Sequence, residues 1–481
     1  MYVINLNKNN NISLFKVTTQ HFQKLTSVFL LLIFISGIHA ATFTVDRTDD
    51  NLVSSCTPAA NDCTLRGAIT AANTANANDT IDFDAAIFAS SQTILLTSEI
   101  IITSTGTLNI NGTGANLLTI SGNNPPNDNR IFTIKAGVNI TISDLTVSDG
   151  KGNSPDFPGF GGGIFNRGNL TLINCAVDNN RTLTGTNGGG IYNISGGIVI
   201  IENSTISNNI GDNGGGGIVN SGTMTITNST ISGNTATSGD GGGIINIGTL
   251  NATAITVANN SATSASGGGI YIAFGTYTSG NSIYADNLDN GSAPDFSGTF
   301  TSNGYNLIES TNGTTINMMS NEITGIDPML GALNLNAGTT KTHSLLPGSP
   351  AIDAGNSFGL TTDQRGFMRP VDISTVMNGS GDLADIGAVE VMAPSAALVT
   401  VGGRVLSPFG RGVPQATVSM TDQNGEIFVS RTNVFGYYRF VDVEVGQTLV
   451  ISVFSKRYQF SQQIVSLAEG TDTLNFTANF R

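Results

Sequence analysis

Gly161-Gly162-Gly163-Ile164 returns at residues 188–191, 215–218, 241–244 and 267–270. Its isoleucines stand 27, 27, 26 and 26 residues apart. So tight a period means stacked copies of one supersecondary unit. Two residues after the isoleucine comes Asn166, Asn193, Asn220 or Asn246, and the fifth copy has Ile272 instead. An alternating segment follows, as in Leu170-Thr171-Leu172 and Met224-Thr225-Ile226. Then come Asn174, Asn203 and Asn228, with Ala254 in the fourth copy, and an apolar position at Val177, Ile206, Ile231 and Val257. Each unit closes on Asn180, Asn209, Asn234 or Asn260.

Apolar–polar alternation is strand periodicity. Strands of three to five residues are too short to stand alone. A 26-residue unit with Gly and Asn corners winds once around an axis, and coils about 4.8 Å apart pair each strand with its copies above and below. The expected fold class is all-β, with a parallel β-helix over residues 91–300. Its core should hold an Ile164-Ile191-Ile218-Ile244-Ile270 ladder and a Val177-Ile206-Ile231-Val257 ladder. Corner asparagines are expected in left-handed conformations with hydrogen bonds along the axis. Asn260 is expected at an exposed repeat end. The triple glycine should mark a corner with no room for a Cβ.

Residues 1–40 read as a cleaved signal peptide. Lys8, Lys16 and Lys24 precede an apolar run at 28–35, and Ser36-Gly37-Ile38-His39-Ala40 ends in small residues, placing Ala40 or Ala41 at the cut. The run is shorter than the roughly 20 residues needed to span a bilayer. No transmembrane segment is expected after cleavage, and the expected location is outside the cell. Losing the leader lysines leaves 17 of the 20 basic residues against 34 acidic ones. Such a balance repels phosphate backbones, so no nucleic-acid partner is expected. In an oxidising compartment Cys56 and Cys63 form a plausible disulfide, and Cys175 fills a small buried repeat position.

Residues 41–90 should cap the first coil. Leu65, Ala68, Ile69 and Ala72 share one helical face. Residues 301–392 form a downstream cap and 393–399 a linker. Residues 400–481 alternate as seven short strands with a hairpin signal at Asn424-Gly425, the pattern of a β-sandwich.

These segments carry resemblances. The glycine–isoleucine repeats resemble those of chlamydial polymorphic outer-membrane proteins and the wider pectate-lyase-like superfamily, which implies a right-handed β-helix. Cys63-Thr64-Leu65-Arg66-Gly67-Ala68 resembles the CSLREA motif of bacterial surface β-helix proteins, with Gly67 where a Glu is usual. Leu345 to Gly355, Asp363-Gln364-Arg365-Gly366 and Asp385-Ile386-Gly387-Ala388-Val389-Glu390 look like the choice-of-anchor Q domain. Residues 401–480 resemble carboxypeptidase regulatory-like domains, which implies a transthyretin-like sandwich.

Two functions compete. Glycosidic cleavage needs ionisable groups converging on one groove. Residues 159–275 offer only Arg167, Asp178, Arg181, Glu202, Asp212 and Asp240. Asp212 and Asp240 occupy the same corner of adjacent coils and form the best catalytic pair for a polysaccharide lyase or glycoside hydrolase. Asp363, Asp385 and Glu390, with Arg365, are the candidate Ca²⁺ site or active site; the bland alternative is ion pairs fixing a loop-rich cap. His343 is the sole histidine beyond the leader, and nothing in the sequence places a nucleophile beside it. The favoured expectation is a monomeric, non-catalytic surface scaffold without a cofactor, its polar faces suited to an extracellular glycan or a surface protein.

Overall fold

The computed structural model describes residues 2–6, 12–16 and 40–481, apart from 124, 318–320, 393–397, 423–425, 445–447, 468–469 and 480–481. The apolar run at 28–35, most of the linker and the Asn424-Gly425 turn lie outside the described residues. The chain divides into two compact units, Met1–Val391 and Met392–Arg481. In the first, Tyr2–Leu6 and Ile12–Lys16 pair antiparallel. No helix among the described residues is long and apolar enough to cross a membrane.

The rest of the first unit is built on a parallel β-solenoid of about eight turns. One face stacks Ile100–Ile102, Phe132–Ile134, Ile164–Asn166, Ile191–Asn193, Ile218–Asn220, Ile244–Asn246 and Ile270–Ile272. A second runs from Thr42–Val45 through Asp79–Phe83 and Thr107–Asn111 to Thr314–Asn317. A third runs from Gln92–Leu95 to Ile323–Thr324. All these pairings are parallel. Ile164, Ile191, Ile218, Ile244 and Ile270 are direct register partners and fully buried. So are Val177, Ile206, Ile231 and Val257 on the third face.

All three glycines are required, the first for its backbone conformation and the other two for space. The first has φ between +58° and +76° in all five copies, the left-handed region that glycine enters without strain. In the first four copies a Cβ on the second or third would come within 3.0 Å of the backbone oxygen of its counterpart in the next coil. At Gly163, Gly190, Gly217 and Gly243 that Cβ would also crowd the closing asparagine.

The asparagines divide their labour, which corrects the expectation of one corner role. Left-handed backbone falls on Asn174, Asn203, Asn228 and Ala254, and again on Asn179, Asn208 and Asn259. The ladders belong to other positions. Asn166, Asn193, Asn220 and Asn246 are buried and linked Nδ2 to Oδ1 at 2.8–2.9 Å. A second ladder joins Asn180, Asn209, Asn234, Asn260 and Asn287 at 2.9–3.0 Å. Asn260 is therefore fully buried, not an exposed end. Its amide meets a need that the sequence alone left hidden, because one of the carbonyls it satisfies, that of Ile231, lies in the adjacent coil.

At the N-terminal end, α1 (Leu65–Ala75) buries Leu65, Ala68, Ile69 and Ala72, so the fold is mostly β with one helix rather than all-β. Thr64 caps it by accepting from the Gly67 amide at 3.1 Å. Gly67 has no space for a side chain: a Cβ would strike the Val53 carbonyl. Arg66 forks onto Asp50 at 2.8 and 2.9 Å. Cys56 and Cys63 are disulfide-bonded, and Cys175 is a free, buried thiol whose pKa burial pushes up to about 12.

The second unit holds two small sheets. Tyr437–Glu444, Leu398–Leu406 and Phe476–Thr477 form one. Ile427–Arg431, Thr417–Thr421, Thr448–Phe454 and Gln463–Ser466 form the other, all antiparallel. Val401, Val405, Val418, Leu449, Ile451 and Phe476 share their apolar core.

Candidate functional site

The segment after the last solenoid strands returns along the third face. Thr205 donates to the Lys341 carbonyl at 2.5 Å, Thr230 to Gln364 at 2.6 Å, and the Ala388 amide to Thr256 at 3.1 Å. Asn281 donates to the Asp385 carbonyl at 2.9 Å. The segment thus spans several coils. It seals outward polar positions such as Thr205, Ser207, Thr230 and Ser232 that a solenoid face would otherwise leave wet.

The candidate Ca²⁺ residues build this seal. Asp363 pairs with Arg365 at 2.7 Å and accepts the Glu390 amide at 3.0 Å. Glu390 pairs with the fully buried Arg369 at 2.7 Å and accepts the Val371 and Asp385 amides. Asp385 accepts amides of Asp353 and Val391 on its two oxygens. These carboxylates already point their lone pairs at fixed donors. No group of three His, Cys, Asp or Glu placed to hold a metal occurs among the described residues. The arrangement is a set of buried ion pairs and amide bonds that shapes loops.

Burial, reinforced by Glu390, pushes the Asp385 carboxyl up to about 7, and burial does the same to Asp295. Between pH 4 and 7 the folded chain holds protons here that the unfolded chain has released. Stability should therefore fall as pH rises through that window. Melting temperatures at pH 5 and pH 7.5 check this; a higher value at pH 7.5 would mean that other groups outweigh both carboxyls.

The fold brings a hydroxyl to His343 that nothing in the sequence placed beside it. Ser232 Oγ lies 2.8 Å from His343 Nε2, and Nδ1 lies 2.7 Å from the Gly331 carbonyl. Nδ1 must carry the proton, because a carbonyl can only accept. Nε2 then accepts from Ser232. The geometry suits a base and nucleophile, but the third partner is a carbonyl and both side chains are buried. Burial also lowers the His343 pKa. The pair pins the returning segment to the solenoid.

Asp212 and Asp240 are not joined by any hydrogen bond. Asp212 accepts from the Gly185 amide at 2.6 Å and Thr237 Oγ1 at 2.9 Å, and Asp240 accepts from the Ser266 amide at 2.9 Å. Each ties its corner loop to an adjacent coil.

The second face is different. One outward row runs Asn109–Thr141–Thr171–Ile200–Thr225–Asn251–Thr278, in register and partly or fully exposed. A parallel row of exposed residues begins at Thr107 and Asn139 and ends at Thr249 and Thr276. Neither row contains a charge. Adjacent residues stand about 4.8 Å apart along the axis and the two rows about 6.7 Å apart, set by strand geometry.

Sequence reasoning passed over Arg130. It is fully buried, 2.9 Å from Glu99, and donates to carbonyls of Asp156, Phe157, Phe160 and Gly161. It holds the long loop before the first triple glycine, where Phe157 stacks on Phe165 and Phe165 on Tyr192. A lone arginine preceding the longest corner insertion was the available signal.

No protein-family model matches the chain, and no curated protein resembles it in sequence.

Proposed function

We propose that this chain is an exported, non-catalytic scaffold that binds an extended neutral glycan along its second face. The observation that carries this reading is the pair of in-register, uncharged rows, Thr and Asn in every strand but one, where Ile198 and Ile200 take their places. A rigid hydroxyl and amide lattice offers repeated donors and acceptors at fixed spacing. That suits a periodic polyhydroxyl chain, and preorganisation limits the entropy lost on binding. The acidic balance of the protein disfavours polyanionic sugars. The export signal supports a secreted or cell-surface location. Right-handed winding, a transthyretin-like second unit and kinship with bacterial surface β-helix proteins belong to the same reading and rest on the motif resemblances.

Residues 41–481 should bind one or more neutral polysaccharides in an immobilised glycan panel. Thr171→Arg with Thr225→Arg should weaken that binding at least about tenfold without changing the melting temperature. Binding that survives the double variant would remove the second face from the site. Saturable binding only to proteins would replace the glycan by a protein partner. Release of reducing or unsaturated ends that disappears on Asp212→Asn or Asp240→Asn would establish the lyase or hydrolase alternative; loss only on Asp363→Asn or Asp385→Asn would move that chemistry to the returning segment.

A further inference from the structure

Asp79 opens a solenoid strand and is fully buried. Its Oδ1 accepts the Ala41 backbone amide at 2.9 Å, while Oδ2 has no hydrogen-bond partner among the described residues. No Lys or Arg among the described residues forms an ion pair with it. A buried carboxylate with an orphaned oxygen and no counter-charge is costly, so its missing partner calls for an explanation.

Ala41 is also where the fold begins to hold the chain. Its carbonyl accepts the Thr80 amide at 2.8 Å, and Thr42–Val45 pairs in register from Thr42 with Thr80 onward. Ala40, one residue earlier, is exposed. The small-residue stretch 36–40 is where the signal-peptide reading expects the cut, with Ala40 or Ala41 beside it.

We propose that Asp79 is the receiving site for the mature N-terminus created by cleavage between Ala40 and Ala41. Water adds across that amide: the C–N bond breaks, Ala40 leaves as a carboxylate, and the Ala41 nitrogen gains protons to become an ammonium. One N–H donor becomes three at a nitrogen already in contact with Oδ1. The new donors serve Oδ2, and the positive charge neutralises the buried carboxylate. Processing thereby completes the first coil, and the uncleaved chain lacks this pair. The inference rests on the signal-peptide reading and adds what the folded protein does with the new terminus.

The full chain, produced with its leader in an exporting bacterium, tests both parts. Intact mass and N-terminal sequencing of the secreted protein should place the first residue at Ala41. Hydrogen exchange at the Thr80 amide and across Thr42–Val45 is then compared between this protein and one carrying Gly-Ser before Ala41. The extension should raise exchange about tenfold, because a charge-assisted pair is lost. It should have no effect in the Asp79→Asn background. Acetylation of the Ala41 amine, which removes the charge without altering any side chain, should reproduce the loss even if Asp79→Asn does not fold. A retained leader or a different first residue would overturn the processing reading and the pairing with it. A first residue at Ala41, with exchange unchanged by extension and by acetylation, would overturn the pairing alone.

Discussion

Asn260→Asp is expected to destabilise the solenoid by about 3–5 kcal/mol, although it exchanges one side-chain NH₂ for an oxygen. Asn260 Nδ2 donates to the Ile231 carbonyl at 2.9 Å, the Ala258 carbonyl at 3.2 Å and Asn287 Oδ1 at 3.0 Å. Its Oδ1 accepts the backbone and side-chain amides of Asn234 at 3.0 and 2.9 Å. An aspartate turns a lone pair toward three acceptors in a site without water access. It either ionises there unpaired or stays protonated with a single O–H. Burial raises the carboxyl pKa, so the deficit should grow as pH rises from 4 to 8. Asn259→Asp is the control: that side chain is exposed on a left-handed backbone, which aspartate tolerates. Thermal melts of the two variants should differ widely, and equal shifts would mean that the ladder contributes nothing beyond its neighbours.

Ile218→Asp should cost more than about 4 kcal/mol and disrupt the coils on either side. Ile218 sits between Ile191 and Ile244 with no exposed surface, inside the core shared by nearly every turn. Aspartate removes the apolar contact and leaves an unpaired carboxyl among aliphatic side chains. Ile218→Val, by comparison, should cost about 1 kcal/mol. A solenoid transmits such a fault only to neighbouring repeats, so protection from hydrogen exchange should fall near residues 191–244 first and survive longer at Thr107–Asn111. Loss of protection uniform along the chain would show instead that the turns unfold as one unit.

The repeat unit was legible in the sequence because it obeys local rules. Period, strand alternation and the triple glycine each follow from backbone geometry that recurs every turn, so Ile164 through Ile270 and Val177 through Val257 were assignable to the core before any coordinates. The α1 face and the place of Cys175 followed from the same local reasoning. What tertiary structure decided were the contacts made across coils and across long separations. Nothing local distinguishes Asn259, exposed and left-handed, from Asn260, buried in a ladder; their difference is which one faces the adjacent coil. Nor does local sequence bring Ser232 to His343, 111 residues away, or pair Arg369 with Glu390 inside the segment that returns along the third face. Charge identity in a sequence marks groups that need partners. Which partner satisfies each, and whether any lone pair is left over for a ligand, is fixed only when the chain closes around them.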